Sequence, residues 1–215
     1  MDGDLVDLPQ LLKIRNQYPN TLLMLDESHS FGTIGSTGRG LEEHYEIAPN
    51  AGPDLIMVSL SKAIPGNGGV VAGKKDIIRF LRYQAHPIMF SSSLPTACIG
   101  TTKAAIELLA QDNGKLVKKL RNNVTFLRES LRSNGISCED HLSPITGVMI
   151  YSEELAFKIS QECFEQGLYL LPVGFPAVAR GKERLRITVT VDHTEDDIVM
   201  GCKILGNVLS KTKNL

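Results

Sequence analysis

Leu22-Leu23-Met24-Leu25-Asp26-Glu27-Ser28-His29 and Leu55-Ile56-Met57-Val58-Ser59-Leu60-Ser61-Lys62 are the two stretches whose reading decides the fold. In each, a short, continuous apolar run ends at polar and turn-forming residues, the pattern of a strand buried on both faces of a parallel sheet. Between the runs lie a glycine-rich loop, a short polar segment and a second loop, enough chain for a crossover connection. On this reading Asp26, His29 and Lys62 meet at the carboxyl edge of neighbouring strands, the edge at which open α/β sheets bind ligands.

An acid, a histidine and a lysine at one such edge suit a definite chemistry. A lysine amine can form a Schiff base with an aldehyde cofactor, and pyridoxal phosphate then serves as an electron sink for a carbanion. A carboxylate beside the pyridine nitrogen keeps it protonated, a role for Asp26. His29, on the loop leaving the same strand, can hydrogen-bond the phenolic oxygen of the ring. Lys62 follows an apolar strand in a turn of small residues, a costly place for an ammonium group that has no use.

Working outward, Leu5 to Gln17 reads as an amphipathic helix stopped by Tyr18-Pro19-Asn20. Gly68 to Gly73 reads as a third buried strand, Lys74 to Gln84 as a helix, and Pro95 opens a helix to Leu109. Leu116 to Asn134 forms another helix, ended by Gly135. Then come a strand (Thr146 to Tyr151), a helix (Glu153 to Gln166), two strands (Leu168 to Leu171, Leu185 to Val191) and a final helix (Thr194 to Leu209). Thr194 and Asp197 have the spacing of a capping box. The change of character near residues 105 to 120 divides the chain into residues 1–110, part of a large cofactor domain, and residues 111–215, a small α+β domain. Arg184 and Arg186 alternate with Leu185 and Ile187, so both arginines share one face of a strand. A bidentate guanidinium is the natural grip for an amino-acid carboxylate; an exposed edge-strand charge fits Arg184 better.

Composition narrows the class. The 215 residues are 42% apolar with a net charge of −1, which favours neither nucleic acid nor an anionic membrane as a partner. No apolar stretch approaches the roughly 20 residues of a membrane span. Cys98, Cys138, Cys163 and Cys202 lack paired or metal-ligand spacing and read as free thiols in a reducing compartment. His44, His86, His141 and His193 likewise show no metal-site spacing, so no metal is expected. The run from Gly32 to Gly40 lacks both the dinucleotide-binding spacing and the Gly-Lys ending of a P-loop, and reads as a loop supporting the site edge and a dimer contact.

Six motifs in order carry a family resemblance: Met1-Asp2-Gly3-Asp4, Asp26-Glu27-Ser28-His29-Ser30, Gly32-Thr33-Ile34-Gly35 with Gly38-Arg39-Gly40, Ser59-Leu60-Ser61-Lys62-Ala63, Phe90-Ser91-Ser92-Ser93-Leu94-Pro95 and Arg184-Leu185-Arg186. Together they resemble the α-oxoamine synthases, pyridoxal-phosphate enzymes that join an amino acid to an acyl-CoA. The resemblance implies a fold-type I pyridoxal-phosphate transferase of the α/β class, with a partial large domain built on a mostly parallel sheet and the small carboxyl-terminal domain. It implies pyridoxal 5′-phosphate as cofactor, carried by Lys62 and contacted by Asp26, His29, Ser59 and Ser61. Ser92 is the best match to a hydroxyl that reaches the phosphate in the neighbouring subunit, and Arg186 matches the carboxylate-binding position. The implied partners are an amino acid, an acyl-CoA and a second copy in a homodimer with shared active sites; the implied compartment is the cytoplasm.

Family members are roughly twice this long and hold the Met-Asp-Gly-Asp motif in their interior. The chain is therefore expected to be the carboxyl-terminal half of such an enzyme, inactive alone and prone to associate through uncovered edges. An upstream half would supply the side chain that stacks on the pyridine ring, a phosphate-binding helix start and part of the CoA site, and a targeting or membrane segment there stays open. Val173 to Ala177 resembles serine palmitoyltransferase-like sequences. Pro65 departs from the usual glycine-rich continuation and, with His86-Pro87-Ile88, leaves room for aminoketone signal synthases. Glycine C-acetyltransferase and 8-amino-7-oxononanoate synthase stay open as well. Two other readings stand beside synthesis: an aminotransferase of the same fold, and a non-catalytic subunit or fragment.

Overall fold

The computed structural model describes residues 3–212, so Met1 and Asp2 of the first motif lie outside the described residues. The chain divides into two compact units at Val117/Lys118, the segment before Val6 belonging with the second.

The first unit is built on a three-stranded sheet of order β1-β2-β3: Met24–Asp26, Leu55–Ser59 and Gly69–Gly73. Strands β1 and β2 are parallel, with Met24 opposite Leu55 and Asp26 opposite Met57. Strand β3 returns antiparallel, Ser59 opposite Gly69. Around the sheet run α1 (Leu8–Gln17), α2 (Leu41–His44), α3 (Lys75–Gln84), α4 (His86–Met89) and α5 (Thr96–Asp112). Helix α1 starts at Leu8 rather than Leu5 because Asp7 caps it, its carboxylate accepting the Gln10 N–H at 3.0 Å, with Pro9 in the first turn.

Two-sided burial of the strands is corrected by the structure. Leu25 and Leu55 are buried, but Leu22 and Met24 are 62% and 53% exposed, and all five residues of β3 are exposed. An apolar run states what a strand can bury; β1 and β3 are the edge strands among the described residues, and little of the described chain covers them. Arg15, Lys74 and the Leu23 N–H converge on the Asp54 carboxylate just before β2, tying α1, the entry to β1 and the end of β3 together.

Helix α6 (Lys115–Ser133) begins at the unit boundary and supplies one wall of the second core. Its Leu120, Val124, Leu127 and Leu131 fall on one stripe at spacings of three and four. They pack with Ala156, Ile159 and Cys163 of α7 (Glu153–Glu165) and with Ile198, Cys202, Leu205 and Val208 of α8 (Glu195–Thr212). The sheet beside them is antiparallel, order β4-β6-β5: Ile145–Met149, Arg184–Thr188 and Leu171–Val173. Strand β5 starts later than the predicted Leu168 because residues 166–168 close α7: the Gln166 and Leu168 N–H groups both donate to Cys163 O, and Gly167 N–H to Phe164 O. The predicted capping box at α8 is present. Thr194 N–H and Oγ donate to Asp197 Oδ2 at 2.9 and 2.6 Å, and Asp197 N–H returns to Thr194 Oγ1 at 3.2 Å. Among the described residues no helix is long and apolar enough to cross a membrane.

Candidate active site

The parallel register sets the site. Asp26 ends β1, and Ser59 ends β2 with Leu60, Ser61 and Lys62 following, so the acid and the lysine leave the same edge of the sheet. Asp26 is exposed and accepts the Ser28 N–H at 2.9 Å, an Asx turn that directs the chain away from the strand. His29, Ser61, Lys62 and Ser92 are exposed and Ser59 is half-buried. The turn carrying Lys62 is organised by its own hydroxyls. Ser59 Oγ and Ser61 Oγ are 2.9 Å apart, and the Ser59 N–H donates to Ser28 Oγ at 2.9 Å, joining the two strand ends directly. The Gly66 N–H closes the turn on Leu60 O at 2.7 Å.

Two carboxylates that sequence reading passed over hold the glycine-rich loop. Glu27 is 2% exposed, accepts the Leu41 N–H at 2.9 and 3.2 Å and receives the Ser30 hydroxyl. Burial pushes its carboxyl above the ordinary value, against the Ser30 and Leu41 donors that favour the charged form. Glu43 gathers the Ser36 and Thr37 hydroxyls at 2.7 Å each, with the Thr37 and Arg39 N–H groups. These donors outweigh burial and bring its carboxyl down to about 2. Alternation carried the signal for Glu27: it follows Leu25 by two residues and so shares its buried face.

In the carboxyl-terminal unit, β6 is the middle strand of its sheet, which overturns the edge-strand reading of Arg184. Arg184 is 6% exposed, its Nε donating to Lys182 O at 2.9 Å, and burial lowers its pKa. Arg186 is half-buried and lines a cavity of about 120 Å³ with Tyr169, His193 and Asp197 over an apolar floor that includes Leu127 and Cys202. The structure thus collects Asp26, Ser59, Ser61 and Lys62 at one sheet edge, with His29 on the loop beside it. It places Ser92 on the segment before α5 and Arg186 in the other unit.

The sequence profile of the family described as aminotransferase class I and II matches residues 1–205. The chain belongs to this family. Its relatives include the 8-amino-7-oxononanoate synthase of Thermosipho melanesiensis, 35% identical over 92% of this chain and 50% of the relative. The serine palmitoyltransferase of Sphingobacterium spiritivorum is 32% identical over 92% of this chain and 49% of its own length. Both are α-oxoamine synthases, the group the motifs resemble, and the chain spans about half the length of the curated relatives it matches. Among solved structures, a variant of the S. paucimobilis serine palmitoyltransferase with bound PLP–myriocin aldimine aligns over the whole chain and 54% of its own, with TM-score 0.90 at 24% identity. The 8-amino-7-oxononanoate synthase of Francisella tularensis aligns at TM-score 0.82 and 23% identity, covering 99% of this chain and 61% of that one. The expected fold-type I class therefore stands.

Proposed function

We propose that this chain is part of a pyridoxal-phosphate enzyme that condenses an amino acid with an acyl-CoA, in most cases with decarboxylation, to give an aminoketone. The observation that carries the reading is the parallel β1–β2 register, which puts Asp26 and the Ser59–Lys62 segment at one sheet edge. The names of the relatives, 8-amino-7-oxononanoate synthase and serine palmitoyltransferase, support the reaction class.

The donor set fits the cofactor: an exposed primary amine, an exposed carboxylate one strand away and a pair of hydroxyls beside the amine. When bound, pyridoxal phosphate supplies an electron sink for a carbanion at the α-carbon of the amino acid. Lys62 provides the amine that carries it. Asp26 holds a proton on the pyridine nitrogen, and His29 donates to the phenolic oxygen. Ser59 and Ser61 offer hydroxyls to the cofactor, and Ser92 offers one to the phosphate of the neighbouring subunit in a homodimer. Arg186 grips the substrate carboxylate. Lys62 would also be the base that takes the α-proton of the amino acid.

The test is borohydride reduction of the intact protein incubated with pyridoxal phosphate, followed by peptide mass mapping. Selective labelling of Lys62 is expected, and Lys62→Ala should abolish turnover; retained turnover overturns the assignment. The family also contains aminotransferases, as its description states. Release of CoA from acyl-CoA in the presence of an amino acid, set against exchange with a keto acid, separates the two activities. Keto-acid exchange without CoA release makes the chain part of an aminotransferase. A strictly monomeric solution profile of the active enzyme overturns the dimer.

A further inference from the structure

The Glu27 side chain lies on the buried face of β1 while Asp26 before it is exposed, and Glu27 fastens the end of that strand and the loop that bears His29. Its N–H continues the parallel ladder to Met57 O at 2.8 Å, fixing the end of β1 against β2. Its carbonyl accepts the Ser30 and Phe31 N–H groups at 3.1 and 2.8 Å, which folds the loop bearing His29 back on the strand. Its carboxylate, on the buried face, accepts the Leu41 N–H with both oxygens and the Ser30 hydroxyl, closing the far end of the same loop.

The loop so enclosed, residues 28–40, touches the lysine turn. A Cβ on Gly32 would stand 2.6 Å from Cβ of Ala63, the residue after Lys62. A Cβ on Gly40, at φ +89°, would stand 2.5 Å from Glu27 Oε2, so glycine there is what admits the carboxylate. A buried acid with two donors, one of them shared between both oxygens, and a glycine cut to its shape is a costly arrangement to keep for a surface loop.

Resting on the cofactor reading above, we propose that Glu27 is a positioning residue that sets Asp26, His29 and the Lys62 turn in register for the cofactor without touching it. Binding constellations tolerate misplacements of only about 0.5 Å, and supporting hydrogen bonds are what hold them. The carboxylate has four acceptor sites; an amide at this position retains two and turns an NH2 group toward Leu41 or Ser30.

The experiment compares four holoenzymes, wild type, Glu27→Gln, Ser30→Ala and Asp26→Asn, for the dissociation constant of pyridoxal phosphate, the absorption spectrum of the bound cofactor and the melting temperature of the apoprotein. Glu27→Gln is expected to weaken cofactor binding about ten- to a hundredfold, the equivalent of one strong hydrogen bond to a charged group, with a changed spectrum. Ser30→Ala, the milder change that keeps the carboxylate, is expected to fall between it and wild type in both. A lower melting temperature with unchanged cofactor affinity and spectrum in Glu27→Gln and Ser30→Ala overturns the positioning role and leaves Glu27 a purely structural acid. An Asp26→Asn holoenzyme that binds and absorbs as wild type overturns the cofactor reading, and the positioning role with it.

Discussion

Arg15 Nη1 lies 2.8 Å from Oδ2 of Asp54, joining the last turn of α1 to the residue that opens β2. The Asp54 side chain is 3% exposed and also accepts Lys74 Nζ at 2.9 Å and the Leu23 N–H at 3.0 Å. Removing it strands the Arg15 charge, itself only 16% exposed, beside an emptied acceptor site. Asp54→Ala is expected to cost about 3 kcal/mol, the scale of a buried pair broken on one side, read by chemical denaturation. Lys74→Ala, which removes a 64% exposed partner, is expected to cost under about 1 kcal/mol; equal losses overturn this ranking.

Acid should loosen the same unit through Glu43. The Glu43 carboxyl is drawn from 4.5 to about 2: burial opposes the charge, but the Thr37 and Ser36 hydroxyls and the Thr37 and Arg39 N–H groups prevail. A depressed carboxylate contributes stability that is complete above its unfolded value, near 4.5, and drains away as the pH falls toward 2. Asp54 follows the same sign from 3.8, burial opposing and the Leu23 N–H, Lys74 and Arg15 prevailing. Glu43→Gln is expected to cost about 1–3 kcal/mol at neutral pH and distinctly less at pH near 3. Denaturation at the two pH values checks it; the same loss at both refutes the linkage.

Much of this was legible in the chain. The apolar runs ending at Asp26 and Ser59 announced two neighbouring strands, which pair in parallel although the two-sided burial expected of them is not met. The run from Leu116 to Asn134, ended by Gly135, announced the helix whose Leu120–Leu131 stripe packs into the core. What stayed hidden depends on partners distant in sequence. Glu43 looks like a surface acid until Thr37 is seen to fold over it, and Glu27, which alternation sets on the buried face, shows no partner until Leu41 is in place. Arg128 carries no local sign of burial, yet it is 4% exposed and donates to the carbonyls of His141, Ser143 and Ile145. Arg184 was misplaced because nothing local tells a middle strand from an edge; that follows from pairing with Met149 on one side and Val173 on the other.

Gly32 should be the most sensitive small residue near the lysine. It has φ +82°, and a methyl there would meet the Ala63 Cβ at 2.6 Å. One of the two turns must then move, and both leave the edge that carries Lys62. Gly32→Ala is expected to slow borohydride-trapped labelling of Lys62 by pyridoxal phosphate about tenfold or more, as a displacement of order 1 Å does at a reacting group. Gly135→Ala, also at positive φ but with open space around it, serves as the control that carries backbone strain alone. Equal labelling of the two variants would remove the close approach as a cause.

Arg184 and Arg186 stand two residues apart on one strand in different surroundings. Arg184 is sealed at 6% exposure with its Nε on Lys182 O, so Arg184→Lys should lower stability by about 1–3 kcal/mol. Its effect on the amino-acid KM of the intact enzyme should be small. Arg186, paired across the sheet with Gly147 and Leu171, is half-buried and opens on the small cavity. Arg186→Lys keeps the charge but loses the planar fork that meets a carboxylate with two parallel bonds. The amino-acid KM is expected to rise about ten- to a hundredfold. The KM for acyl-CoA should stay within about twofold, since a carboxylate grip made equally in ground and transition states affects binding of that substrate alone. Steady-state kinetics with each substrate varied in turn decide it. A rise in both KM values, or a fall in kcat alone, would take Arg186 out of carboxylate binding.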